Sequence, residues 1–204
     1  MKGIYIREHG DLNVLQYDNI DDPVLENRQV VVKIKAAGIN HLDIWIRKGL
    51  PNIKCPLPLI LGSDASGEII DKKGDIGDYS LGDKVVIQPG TFNTNCQKVI
   101  TGYENFSNTY GILGETQNGV QSEYVALDIK NIYPKPSHLS FSDSASMQLV
   151  FMTAYQMLIK RANIKEKEKV LIYGASSGIG SAAIQIAKHF GTKVYTTVGD
   201  NYKN

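Results

Sequence analysis

Residues 170–191 read Val-Leu-Ile-Tyr-Gly-Ala-Ser-Ser-Gly-Ile-Gly-Ser-Ala-Ala-Ile-Gln-Ile-Ala-Lys-His-Phe-Gly. Four apolar or aromatic residues predict a buried strand. Glycines and small residues at 174–180 predict a tight turn, and Ala182, Ala183 and Ala187 predict a closely packed helix that stops at Gly191. A second strand is predicted over residues 193–198. Strand, glycine turn and helix is the arrangement that dinucleotide sites need. Small residues let the backbone approach a pyrophosphate, and the helix N-terminus offers free N–H groups with a partial positive charge. A literal G-x-G-x-x-G is absent, so the context carries the reading: the apolar strand before, the alanine-rich helix after and the second strand about 20 residues on. The candidate contacts are Ser176, Ser177, Gly178, Ile179 and Gly180. A βα turn that holds no ligand is the alternative.

Upstream the pattern is different. Residues 2–7, 30–36, 68–71, 84–88 and 122–127 are short, rich in β-branched or aromatic residues, and bounded by turn chemistry such as His9-Gly10-Asp11 and Gly82-Asp83. They predict strands. One helix is predicted among them, with Asn40 as its cap, Asp43 in its first turn and Gly49 as its stop. After Pro134 and Pro136 the character changes. Ser140 and Asp143 resemble a short capping box, and residues 145–159 read as one long, mostly buried helix. The organisation expected is a β-rich domain over residues 1–135, followed over 136–204 by the opening of an α/β domain.

Composition excludes several classes. With 204 residues, 42% hydrophobic and 21% charged, the chain has apolar mass for one large domain or two small ones. Lys and Arg number 22 against 21 acids, a net charge of +1, so nothing drives it toward nucleic acid or anionic membranes. No apolar run reaches the roughly 18 residues of a membrane span. The early charges of Lys2, Arg7 and Glu8 do not fit a secretory segment, and a cytoplasmic location is expected. Cys55 and Cys96 form neither a CxxC pair nor a disulfide framework.

Several segments, in order, resemble the medium-chain dehydrogenase/reductase superfamily (the zinc-type alcohol dehydrogenases), in its quinone oxidoreductase-like, zinc-independent branch. They are Ala37-Gly-Ile-Asn-His-Leu-Asp-Ile-Trp-Ile-Arg-Lys-Gly49, Leu61-Gly-Ser-Asp-Ala-Ser-Gly67, Gly82-Asp-Lys-Val85, residues 119–125, Thr153-Ala-Tyr155, and Gly178-Ile-Gly180 with Gln185 and Lys188. The resemblance implies a GroES-like domain joined to a Rossmann domain, here incomplete, and NAD(P)H-dependent reduction of a small carbonyl, enone or quinone. It places Asn40 in the cleft as the substrate-positioning residue and Asp43 beside it. The same two residues can equally cap the helix. Trp45 stands where relatives often carry a substrate-side Tyr, with a core residue as the alternative. Thr153 resembles a cofactor-contacting Thr, with helix packing as the alternative. For the ribose end, Lys203 favours NADP, Asp200 opposes it, and a solvated tail is equally compatible; NADP is expected, with NAD possible.

Zinc is not expected. The family's catalytic ligands Cys, His and Cys correspond to Asn40, Ser63 and Leu149, and the structural zinc lobe keeps only Cys96, with Asn93, Val99 and Ser107 in the other places. One soft ligand holds no zinc, and His9, His41, His138 and His189 are scattered. The glycine turn also resembles a short-chain dehydrogenase, but that family places it near the N-terminus, and Tyr155 and Lys160 lie upstream with one spacer too many. The rival class is non-catalytic. A doubly wound domain has six strands, and only two are legible here. That suits a fragment, a prematurely ended gene product, or a remnant that binds partners through an exposed sheet. Any homo-oligomer would form otherwise than through the usual Rossmann-edge dimer.

Overall fold

The computed structural model describes residues 1–51, 53–92 and 103–199, and the chain divides into two compact units, Met1–Ser146 and Met147–Asn204. In the first unit the strands are β1 (Lys2–Ile6), β2 (Gln16–Asn19), β3 (Gln29–Ala37), β4 (Leu59–Ile60), β5 (Ala65–Lys73), β6 (Lys84–Ile87), β7 (Gly90–Thr91), β8 (Gly111–Ile112), β9 (Tyr124–Asp128) and β10 (Ile132–Pro134). Its helices are α1 (His41–Lys48) and α2 (Phe141–Ala145).

Five antiparallel strands form the main sheet in the order β10-β6-β5-β3-β9, and β2-β1-β4 form a smaller one. Val30, Val31 and Val32 on β3 are all buried, because the strand pairs on both sides and both its faces are covered. Val30 and Val32 join Ile69, Val85, Ile87, Leu113, Val120 and Ile132 in the larger core. A fully buried side chain of this kind contributes about 1.5–3 kcal/mol. Pro134 sits on β10, at the sheet edge, where a residue without an N–H leaves no central ladder bond unmade.

Helix α1 belongs to a second core. Ile46 is fully buried with Ile6, Leu59 and Leu61, and Leu42, one turn earlier, packs beside them. Its last carbonyls are met by the loop after β1: Nδ1 of His9 donates to the Ile46 carbonyl at 2.8 Å, and the Gly10 N–H donates to that of Arg47 at 2.8 Å. Arg47, itself buried, returns a bond from Nη1 to the Gly10 carbonyl at 2.8 Å.

The second unit holds α3 (Gln148–Tyr155), β11 (Lys169–Ile172), α4 (Gly178–His189) and β12 (Lys193–Thr196). β11 and β12 are parallel and joined by α4, the opening βαβ unit of a dinucleotide-type domain. Two expectations are corrected here. The single long helix is broken: Ser146 (φ −96°, ψ 1°) and Met147 (φ −118°, ψ −23°) interrupt it between α2 and α3. Beyond α3, residues Gln156–Arg161 wind as a π-helix in which the Ala162 N–H reaches back to the Met157 carbonyl at 2.8 Å. Nor is it mostly buried, since Met152, Tyr155 and Met157 are exposed. The first strand of this unit is likewise not buried throughout. Ile172 packs under Ala182, Ala183 and Ala187, but Leu171 and Tyr173 are 57% and 77% exposed. Helix α4 packs on one face of the strand pair, and Leu171, Tyr173 and Tyr195 stay exposed.

Candidate functional site

Asn40 takes the N-cap of α1 with extended backbone (φ −112°, ψ 154°), and Asp43 Oδ2 accepts its N–H at 2.8 Å, as in a capping box. The capping role and a site role therefore coexist, because the Asn40 amide also reaches outward. Its Nδ2 donates to Asp64 Oδ2 at 3.0 Å. Asn40 itself remains half-buried, whereas Asp43 and Asp64 are 6% and 1% exposed. Burial pushes the Asp43 carboxyl above its ordinary range, opposed by hydrogen bonds from the Asn40 and Gly62 backbones.

The frame around this corner is backbone against backbone. Gly119, Val120 and Gln121 donate to the carbonyls of Ile60, Gly62 and Leu61 at 2.8, 3.0 and 2.9 Å. A Cβ on Gly119 would lie 2.2 Å from the Gly62 oxygen, so only glycine permits the approach. Next along, Ser63 is fully buried and its hydroxyl donates to the Leu113 carbonyl at 2.9 Å. The Asp64 carbonyl accepts the Gly38 N–H at 2.8 Å, which ties the acid to the residue two before Asn40.

Trp45, also on α1, is 49% exposed and meets His41 edge-on at 4.9 Å between ring centroids. The core alternative for this residue is thereby corrected, because the positions of α1 that face the core are Leu42 and Ile46.

In the second unit the glycine turn is held from within. Gly174 has φ +72°, and its N–H donates to Thr197 Oγ1 at 3.1 Å. Ser177 caps α4: its hydroxyl donates to the Gly174 carbonyl at 2.8 Å and accepts the Gly180 N–H at 2.9 Å. A Cβ on Gly180 would stand 2.0 Å from the Gly174 oxygen. The N–H groups of Gly178 and Ile179, at the start of a 12-residue helix, have no bond among the described residues, and Ser176, Ser177, Gly178 and Ile179 are exposed. This is the donor set an anionic pyrophosphate requires. Thr153 lies on α3, half-buried, one helical turn from Val150, whose Cγ1 comes within 3.0 Å of a Cβ built on Gly178. Lys203, Asn93, Cys96 and Val99 lie outside the described residues.

The structure thus joins Asn40 to Asp43 in one unit, and gathers Ser177, Gly178 and Gly180 in the other. Two residues with no role in the sequence reading emerge, Asp64 and Thr197. Asp64 carried a signal: an acid inside the small, apolar run Leu61-Gly-Ser-Asp-Ala is a buried polar group that needs a partner. The three residues that the resemblance sets at the catalytic zinc positions, Asn40, Ser63 and Leu149, lack the side chains that bind zinc there. An amide already committed to a carboxylate, a hydroxyl donated to a carbonyl and the alkyl chain of Leu149 offer neither thiolate nor imidazole. Among the described residues no three His, Cys, Asp or Glu side chains gather as a metal would need.

The alcohol dehydrogenase GroES-like domain pattern matches residues 26–137. A protein named NAD-dependent alcohol dehydrogenase, from Sulfolobus acidocaldarius, is 31% identical over 193 residues, covering 92% of this chain and 55% of its own length. A human protein named quinone oxidoreductase is 31% identical over 201 residues, 98% of this chain and 53% of its own. Among solved structures, one described as an NAD-dependent alcohol dehydrogenase superposes with a TM-score of 0.95 at 39% identity, covering 100% of this chain and 59% of that one. A thermostable alcohol dehydrogenase from Pyrobaculum aerophilum, described as cobalt- and zinc-bound, gives 0.87 at 27% identity, with 98% and 60% covered. The chain spans about half the length of the curated relatives it matches.

Proposed function

Because the chain belongs to the alcohol dehydrogenase GroES-like family of medium-chain dehydrogenases/reductases, we propose that it serves NAD(P)H-dependent, zinc-independent reduction of a small carbonyl, enone or quinone. The observation that carries this is the Asn40 corner: where the family's zinc ligands would stand, an amide is held by a buried carboxylate and a hydroxyl is spent on a carbonyl. A reduced nicotinamide, when bound, supplies the hydride. The protein's task is then to stabilise the substrate oxygen that gains charge, and an aimed N–H donor does this without a metal. An amide nitrogen carries two hydrogens. Asp64 takes one from Asn40, and the other serves the substrate oxygen. Asp43 fixes the Asn40 backbone, and Trp45 forms a wall beside the substrate.

In the same reading residues 1–135 form the catalytic domain and residues 136–204 open the dinucleotide domain of a soluble cytoplasmic enzyme. Ser176, Ser177, Gly178, Ile179 and Gly180 cradle the pyrophosphate, Thr153 flanks the nicotinamide, and Lys203 selects NADP. The test is to offer the longest product of the gene NADPH or NADH with a panel of quinones and enals, with and without a zinc chelator. Turnover indifferent to the chelator, with NADPH preferred and the preference lost in Lys203→Ala, is expected. Absence of both turnover and dinucleotide affinity sinks the reading. The exposed outer face at Leu171, Tyr173 and Tyr195 favours one other reading, an interaction module, which a dinucleotide-free, self-sufficient assembly would support.

A further inference from the structure

We infer that Asp64 is a positioning residue for Asn40: its carboxylate, buried in the loop between β4 and β5, sets the plane of the Asn40 amide and so aims the second N–H. This rests on the proposed reduction for its chemical purpose, but the geometry is independent of it. Asn40 sits at a helix N-cap, where its backbone is fixed by the bond to Asp43 at 2.8 Å. Its side-chain oxygen faces the Asp43 N–H in the capping box without a full hydrogen bond to it, so that contact alone leaves the amide some torsional freedom. The Nδ2 to Oδ2 bond at 3.0 Å removes that freedom, because an amide is planar and one fixed N–H defines the direction of the other. Asp64 can do this because it is buried and its backbone is tethered. It is 1% exposed, and its carbonyl holds the Gly38 N–H at 2.8 Å. Gly38 in turn lies where no side chain fits, since a Cβ built on it would stand 2.4 Å from the Ala145 carbonyl oxygen and 3.2 Å from the Asp64 Cβ.

Charge argues for positioning and against direct stabilisation. A carboxylate near an oxygen that is gaining negative charge repels it, and a carboxylate that accepts one amide hydrogen does not make the other more acidic. What Asp64 supplies is therefore an acceptor in a fixed place. A neutral acceptor in that place is expected to do the same work.

This separates the variants. Asp64→Asn keeps an oxygen facing Asn40 Nδ2 and removes the charge; Asp64→Ala removes both. In 15N-labelled protein, the Asn40 side-chain NH2 pair of the wild type is expected to be resolved, with one hydrogen shifted downfield and exchanging slowly. In Asp64→Ala it moves to the position of a free amide and exchanges at least about tenfold faster, while Asp64→Asn keeps the wild-type pattern. In the reduction assay, kcat with NADPH and 1,4-benzoquinone falls at least about tenfold in Asp64→Ala with the NADPH KM unchanged, and Asp64→Asn recovers to within about threefold. An Asn40 amide unaltered in a folded Asp64→Ala protein overturns the inference. So does a loss in Asp64→Asn as large as in Asp64→Ala. If Asp64→Ala does not fold, the decision falls to Asp64→Asn, whose Asn40 amide signal must stay in place. If the wild type shows no turnover, the proposed reduction fails, and the positioning role stands or falls on the amide spectrum.

Discussion

Two polar sites in this chain are built on opposite plans. Around Asn40 the polar groups are taken out of water: Ser63 and Asp64 are almost wholly inaccessible and each is spent on a specific partner. Around Ser177 the reverse holds, and the first N–H groups of α4 face solvent with only the turn's own geometry to shape them. On the proposed function, the difference follows from what each would recognise. A buried donor has to be aimed by neighbours, since an unpartnered polar group in the interior costs about 1–3 kcal/mol. Donors at an exposed helix start cost nothing while water covers them, and they need only be left free.

Substitutions at the two places should therefore fail in different ways. Gly119→Ala is expected to be the most damaging, because the new Cβ meets the carbonyls of Leu61 and Gly62, backbone atoms that cannot turn aside. A loss of about 3 kcal/mol in urea unfolding is expected; a loss under about 1 kcal/mol would mean that the frame around Asn40 is looser than its distances state. Ser177→Ala removes a cap that makes two bonds, and about 1 kcal/mol of helix stability with it. Its signature is loss of helical circular dichroism from α4 before the sheet melts. A single coincident transition would erase the contrast between the two plans.

Trp45→Ala is expected to cost about 1 kcal/mol, since an edge contact with His41 and the buried half of the ring are lost. If Trp45 walls the substrate, quinone KM rises instead, and equal kinetics with a large loss of stability would reverse the assignment. The smallest effect is one of slope. Burial holds the Asp43 carboxyl above its ordinary value of 3.8, so the folded state keeps a proton that the unfolded chain gives up. Asp43 thus makes stability fall as pH rises from about 3.8 toward the raised value, and contributes no slope above it. Asp43→Asn should flatten that window, as urea titrations at several pH values would record.

Much of this was legible in residue order. The valines of β3, the Asn40 cap with its Asp43, the glycine turn and the alanines of α4 all declare themselves through periodicity and turn chemistry. What escaped depends on contacts between distant residues. Two-residue strands such as β4 and β8 exist only because Tyr5 and Thr91 lie opposite them, and no propensity marks a strand that short. The break at Ser146 and Met147 falls among residues that all tolerate a helix. Asp64 lies 24 residues from Asn40, and nothing local tells which buried group an isolated acid will find.

Helix α1 has eight residues, too few to persist alone in water, where nucleation is unfavourable and helices shorter than about 12 residues are marginal. It exists because its last carbonyls are met by His9 and Gly10 and its first turn is closed by Asp43, with the amide of its cap tied to Asp64. The Asn40 corner therefore cannot be lifted out as a peptide or loosened by degrees. Hydrogen exchange in α1 should follow the opening of the whole first unit rather than local fraying, so the candidate site is as cooperative as the fold that carries it.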